Sequence, residues 1–183
     1  MIRFPQTRDG WILLAGVALA IGLVVISLSR QVDPTAVPDP LVESPAPGFL
    51  APNFELVTLD GESIQLSDLR GRPVVLNFWA SWCGPCRIET PHFQEFSENF
   101  EEELIVLGVN QQESAATVAE FAAEYDVTYP LLLDDRADVY QTYAIFGLPT
   151  TYFIDADGVI VDVIPGAATE AVLTEKVEAL LLP

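Results

Sequence analysis

From residue 49 onward, short apolar runs of strand length alternate with segments of helical period. Val74-Val75-Leu76-Asn77-Phe78-Trp79-Ala80 is almost continuously apolar, which predicts a strand over 73–80 buried on both faces. Residues 104–109 read as a second strand of this kind and residues 129–133 as a shorter one. Val118, Phe121, Ala122 and Tyr125 share one helical face, predicting a helix over 114–125. Another helix is predicted over 83–99, kinked at Pro91, where a backbone donor is missing. Residues 138–145 read as a short helix. Thr169 caps a last one, with Val172, Leu173, Val177, Leu180 and Leu181 available to a core.

Two hairpins complete the pattern. Residues 54–59 and 62–66 flank Asp60-Gly61, and residues 150–154 and 159–164 flank Asp155-Ala156-Asp157-Gly158. Residues 67–71 form a turn into the strand at 73. Strands alternating with helices predict an α/β fold, with a central sheet covered on both faces and antiparallel strands added by the final hairpin.

The first 48 residues follow other rules. Trp11 to Leu28 is eighteen residues without a charge, just long enough to cross a bilayer as a helix. Arg3 and Arg8 precede it, and Arg30 follows with Asp33, Asp39 and Glu43 beyond, a bias that places the N-terminus in the cytoplasm. A cleaved signal peptide is the alternative, with Ser27-Leu28-Ser29 as the small residues before a cut. Pro34, Pro38, Pro40, Pro45 and Pro47 then mark a spacer that cannot build a core. At ~3.1 Å per residue it reaches about 55 Å. The expected organisation is a cytoplasmic N-terminus (1–10), a transmembrane anchor (11–29), a Pro-rich linker (30–48) and one domain (49–183). The domain then lies on the extracytoplasmic side of a cell membrane crossed once.

Charge narrows the partners. The formal net charge is −19, and the part beyond Arg30 holds 26 acidic residues against five basic ones. Such a surface disfavours nucleic acid and anionic lipid headgroups; it suits basic protein partners or simply keeps an exported domain soluble.

The chemistry lies in Trp82-Cys83-Gly84-Pro85-Cys86-Arg87, which holds both cysteines of the chain directly after the apolar strand. A thiol at a helix N-terminus faces unpaired backbone N–H groups and the positive end of the helix dipole, which favour thiolate. The second thiol, one turn later, is within reach to close and reopen a small disulfide ring. The sequence therefore proposes dithiol–disulfide exchange. A four-residue ring adds little stability, so a purely structural bridge explains the pair less well.

These residues resemble the thioredoxin superfamily, in particular its membrane-anchored ResA/TlpA-like thiol–disulfide oxidoreductases with an AhpC/TSA-redoxin type domain. Four blocks carry the resemblance: Ala51-Pro52-Asn53-Phe54 with its hairpin, the stretch from Asn77 to Pro91, residues 114–133, and Gly147-Leu148-Pro149-Thr150-Thr151-Tyr152-Phe153-Ile154-Asp155. It implies a thioredoxin-like fold: a central mixed sheet with helices on both faces and an N-terminal β-hairpin, here preceded by one transmembrane helix. It implies that Cys83 is the exposed attacking thiol and Cys86 the partly buried resolving one. It also implies that Pro149 is cis, leaving the Leu148 backbone free to pair with a substrate, while Trp82, Gly84 and Pro85 line the groove. Plain thioredoxins place a buried Asp where this chain has Asn77, so Asn77 cannot accept a proton. Glu89 matches a glutamate that the ResA-like group places near the disulfide, where a desolvated carboxylate could exchange a proton with Cys86. A solvated helix-surface acid is the other reading of Glu89.

No cofactor is implied and no metal site is expected: His92, with Cys83 and Cys86, lacks a fourth zinc ligand. Trp79 is expected in the core. Peroxidase chemistry is disfavoured, because the Pro-x-x-x-Thr-x-x-Cys context of peroxiredoxins is absent before Cys83. In thioredoxin Gly-Pro between the thiols accompanies a potential of about −270 mV, making reduction the default direction. The resemblance implies exported protein disulfides as substrates, such as those of apocytochrome c during cytochrome c maturation, and a membrane thiol-transfer protein as electron donor. A general exported reductase or isomerase is the runner-up. A non-enzymatic tethered binding module with a structural disulfide is the third reading.

Overall fold

The computed structural model describes residue 19 and residues 42–181. The anchor expected at 11–29 and most of the linker lie outside the described residues. Among the described residues no helix is long and apolar enough to cross a membrane.

The chain order is β1 (Glu55–Thr58), β2 (Ser63–Gln65), a 3-10 turn (Leu66–Leu69), β3 (Val74–Trp79), α1 (Gly84–Asn99), β4 (Ile105–Gln111) and α2 (Ala115–Glu124), followed by β5 (Leu131–Asp134), α3 (Asp138–Thr142), β6 (Thr150–Ile154), β7 (Ile160–Pro165) and α4 (Glu170–Leu181). The strands form one seven-stranded sheet ordered β2-β1-β5-β4-β3-β6-β7. β3–β4 and β4–β5 are parallel, while β1–β5, β3–β6 and both hairpins are antiparallel. The N-terminal hairpin is thus not an appendage. It extends the sheet through the pairs Val57–Leu133 and Thr58–Leu132.

The central position of β3 explains its unbroken apolar sequence. Successive side chains point to opposite faces, so a strand covered on both sides needs apolar residues at every position. Val75 and Trp79 join one core with Phe93 and Phe96 of α1, Val118 and Phe121 of α2, and Leu173 and Val177 of α4. Val74, Leu76 and Phe78 join the other with Val139 and Tyr140 of α3, Tyr152 and the N-terminal residues Ala51 and Phe54. On this second face, the Tyr143 hydroxyl donates to Pro52 O and the Tyr152 hydroxyl to Tyr143 O, so the buried phenols keep partners.

Several expectations move. Leu66 opens a 3-10 turn rather than ending β2. Tyr129 precedes β5, and Asp134 ends it by accepting the Asp138 and Tyr140 backbone N–H groups that open α3. Helix α1 continues through Pro91, which forfeits one hydrogen bond without ending the helix. Val172 is exposed, because the buried stripe of α4 is Leu173, Val177 and Leu180. The end of the Pro-rich stretch is attached to the domain: Gly48 N–H donates to Ile160 O at 2.8 Å, and Ser44 N–H donates to Leu50 O at 3.0 Å.

Candidate active site

Parallel pairing of β3 with β4, with Trp79 opposite Asn110, brings the loops after both strands together at one end of the sheet. The β3 loop carries Ser81, Trp82 and Cys83, and the β4 loop carries Glu113. The Glu113 carboxylate accepts the Ser81 N–H at 2.7 Å, the Ser81 hydroxyl at 2.5 Å and the Asn110 side-chain amide at 2.7 Å. It fixes the segment that leads into the first cysteine. Sequence reasoning missed Glu113; the signal was an acid just past a strand expected to run parallel to the cysteine-bearing one.

Cys83 is the N-cap of α1, with extended backbone angles, and Pro85 sits in the first turn, where its missing N–H costs nothing. Cys83 and Cys86 are joined in a disulfide, and the Cys86 backbone N–H donates to Cys83 Sγ at 3.2 Å. This is the donor placement that steadies a thiolate once the bridge opens. Cys83 was expected to be exposed; in the disulfide it is only 4% exposed and Cys86 2%. Both sulfurs turn inward to bond each other and join the core with Trp79 and Phe121. The exposed groups around the ring are Gly84, Pro85 and Trp82, the last 68% exposed.

Arg87, also missed, is the one cation of the motif. Its guanidinium lies 5.1 Å from the Tyr125 ring centroid and 5.8 Å from that of Phe121, and it pairs with Glu124 at 2.5 Å. It ties the first turn of α1 to α2.

Glu89, one turn beyond Cys86, is not solvated: it is 1% exposed. Its Oε1 accepts the Ala168 backbone N–H, while Oε2 has no partner. Burial pushes its carboxyl up from 4.5 to about 7, against a smaller opposing effect of the Ala168 hydrogen bond. Tyr129 packs nearby; burial, then the Glu89 charge, pushes its hydroxyl up. Asn77, in place of an acid, donates to Thr151 Oγ1 at 3.0 Å inside the sheet. Trp79 is core, as expected.

The Leu148–Pro149 peptide is cis. Pro149 is buried at the start of β6, Leu148 half-buried, and the neighbouring Phe146 98% exposed.

Residues 47–163 match the AhpC/TSA family. The chain belongs to it. Within the family the chain resembles thiol–disulfide oxidoreductase ResA of Bacillus subtilis (strain 168), 39% identical over 132 residues, covering 72% of this chain and 74% of that protein. A thiol:disulfide interchange protein of the thioredoxin family from Chlorobium tepidum matches in structure with a TM-score of 0.66 and 28% identity, over 78% of this chain and 100% of that one. A secreted Mycobacterium tuberculosis disulfide oxidoreductase matches with a TM-score of 0.65 and 25% identity, over 69% of this chain and 96% of that one. The fold of this AhpC/TSA member is thioredoxin-like, and the protein is a thiol–disulfide oxidoreductase of the ResA/DsbE type. That sets aside the tethered binding module with a structural bridge.

Proposed function

We propose that this oxidoreductase is held by one helix over residues 11–29 at the outer face of a cell membrane, where it reduces disulfides of exported proteins, apocytochrome c among them. The observation that carries the chemistry is a disulfide capping α1 with a buried carboxylate one turn further on. Cys83 thiolate attacks a substrate disulfide, forming a Cys83–substrate bond and expelling the first substrate thiolate. Cys86 then passes its proton to the Glu89 carboxylate and attacks Cys83 Sγ. The Cys83–Cys86 bridge closes, the second substrate thiolate leaves and takes up a proton, and two electrons have passed to the substrate. A carboxyl at about 7 exchanges protons in either direction near neutral pH. Trp82, Gly84, Pro85 and the Leu148–Pro149 segment bind the substrate chain beside the bridge. A membrane thiol-transfer protein restores the dithiol.

The extracytoplasmic placement is supported by the uncharged segment and its flanking arginines, by the Pro-rich spacer, and by the likeness to a Mycobacterium tuberculosis oxidoreductase that is secreted. The direction is supported by Gly84-Pro85.

Full-length Cys86→Ser, expressed in its membrane, tests this reading. It retains Cys83 but cannot release a mixed disulfide. Apocytochrome c recovered as the dominant adduct supports the proposal, and a broad set of exported proteins favours a general reductase or isomerase. An adduct confined to cytoplasmic proteins overturns the placement.

A further inference from the structure

We propose a divalent transition-metal site of the zinc class formed by His92, Glu95 and Glu170, on the outer side of α1 and separate from the disulfide. His92 and Glu95 stand three apart on α1, and Glu170 is the first residue of α4. One ligand atom from each, an imidazole nitrogen and two carboxylate oxygens, lies within 4.8 Å of the others. Around a zinc ion with bonds of ~2.1 Å, neighbouring ligand atoms are about 3.4 Å apart, so modest side-chain rotation brings the three into place, with solvent water as the fourth ligand.

The electrostatics favour a cation here. Two carboxylates approach one another, and among the described residues no ion pair neutralises Glu95 or Glu170. The net charge of −19 further concentrates cations around the chain. The three backbones are firmly held. His92 and Glu95 flank the buried Phe93 and Gln94 of α1, with the buried Phe96 next to Glu95, while Glu170 follows the N-cap Thr169, whose carbonyl accepts the N–H of the buried Leu173 at 3.0 Å. The donor set chooses the class: an imidazole with two carboxylates suits zinc and its neighbours, whereas calcium and magnesium take oxygen alone. A bound ion would clip α1 to the start of α4, next to Ala168, whose N–H holds Glu89. None of the three ligands takes part in the dithiol chemistry.

The test uses the full untagged chain in mild detergent with the Cys83–Cys86 bridge closed, so that no thiolate competes for metal. Zinc binding is measured by equilibrium dialysis or calorimetry, with calcium in parallel. The expected result is one saturable zinc per chain, with calcium failing to displace it. His92→Ala and Glu170→Gln should each weaken binding at least about tenfold, because loss of a direct ligand costs no less than loss of its supporting partners. Glu120→Gln, an exposed acid on α2, should bind as the parent does. All of these positions are exposed or half-buried, and far-UV circular dichroism checks that each variant is folded. Absence of saturable zinc binding, unchanged affinity in His92→Ala, or equal competition by calcium would overturn the proposal.

Discussion

Replacing Glu89 with glutamine gives the sharpest test of the buried carboxyl. Its folded value of about 7 against an ordinary 4.5 means that, between those pH values, the folded protein holds a proton that the unfolded chain has released. The sign follows from linkage. Stability falls as pH rises from about 4.5 through about 7, and above that range the ionised carboxylate bears the full cost of burial. At about 1.4 kcal/mol for each pH unit separating the two values, that cost is about 3 kcal/mol. The glutamine side chain keeps an oxygen to accept the Ala168 N–H but cannot ionise. Its amide puts an unpaired NH2 where Oε2 now lies, a penalty of about 1–3 kcal/mol that does not vary with pH. The informative quantity is therefore the difference between the two proteins as a function of pH, since other acids titrate alike in both. Urea unfolding of the oxidised proteins at pH 5, 6, 7 and 8 should show Glu89→Gln gaining about 2.5 kcal/mol on the parent between the first and last conditions. A difference that stays flat within about 1 kcal/mol would refute the argument.

Substitutions at three further positions probe how the site is held. Glu113→Ala leaves the Ser81 N–H and the Asn110 amide without their acceptor; the free energy of urea unfolding should fall by about 1–3 kcal/mol, and insulin reduction should slow as the Cys83 loop loosens. In Gly108→Ala, the new Cβ would meet Leu131 Cδ2 at 2.7 Å and Trp79 Nε1 at 2.9 Å; Leu131 can yield but the packed indole cannot, so a loss of about 1–3 kcal/mol is expected in urea unfolding. Thr151→Val strips the buried Asn77 amide of its acceptor, with an expected loss of about 1–3 kcal/mol in the same measurement, against a smaller loss for Thr151→Ser, which keeps the hydroxyl.

Elements with a strong local signature were legible from the chain alone. Strand β3 was readable because a centre strand needs apolar residues on both faces, and both hairpins because Asp-Gly turns specify reversal locally. The cysteine pair was readable because a strand-to-helix switch at Cys83 fixes its cap position. The resemblance added the proline loop. Boundaries slipped where backbone hydrogen bonding rather than hydrophobicity sets the end of an element, as at Leu66 and Tyr129.

What the sequence determined by itself was thus the alternation of elements, the dithiol at the start of a helix, and the acidity of the chain. The tertiary structure decided which of the 27 acids are buried, Glu89 and Asp134 among the described residues. Glu89 is buried and meets the backbone N–H of Ala168, 79 residues further along, and Glu113 reaches Ser81 across 32 residues because β3 and β4 run parallel. It also decided that the first hairpin joins the sheet at β5 and that the sulfurs of the closed bridge face inward. Propensity and periodicity act between near neighbours, whereas desolvation and hydrogen-bond pairing depend on whatever distant segment packs against a group.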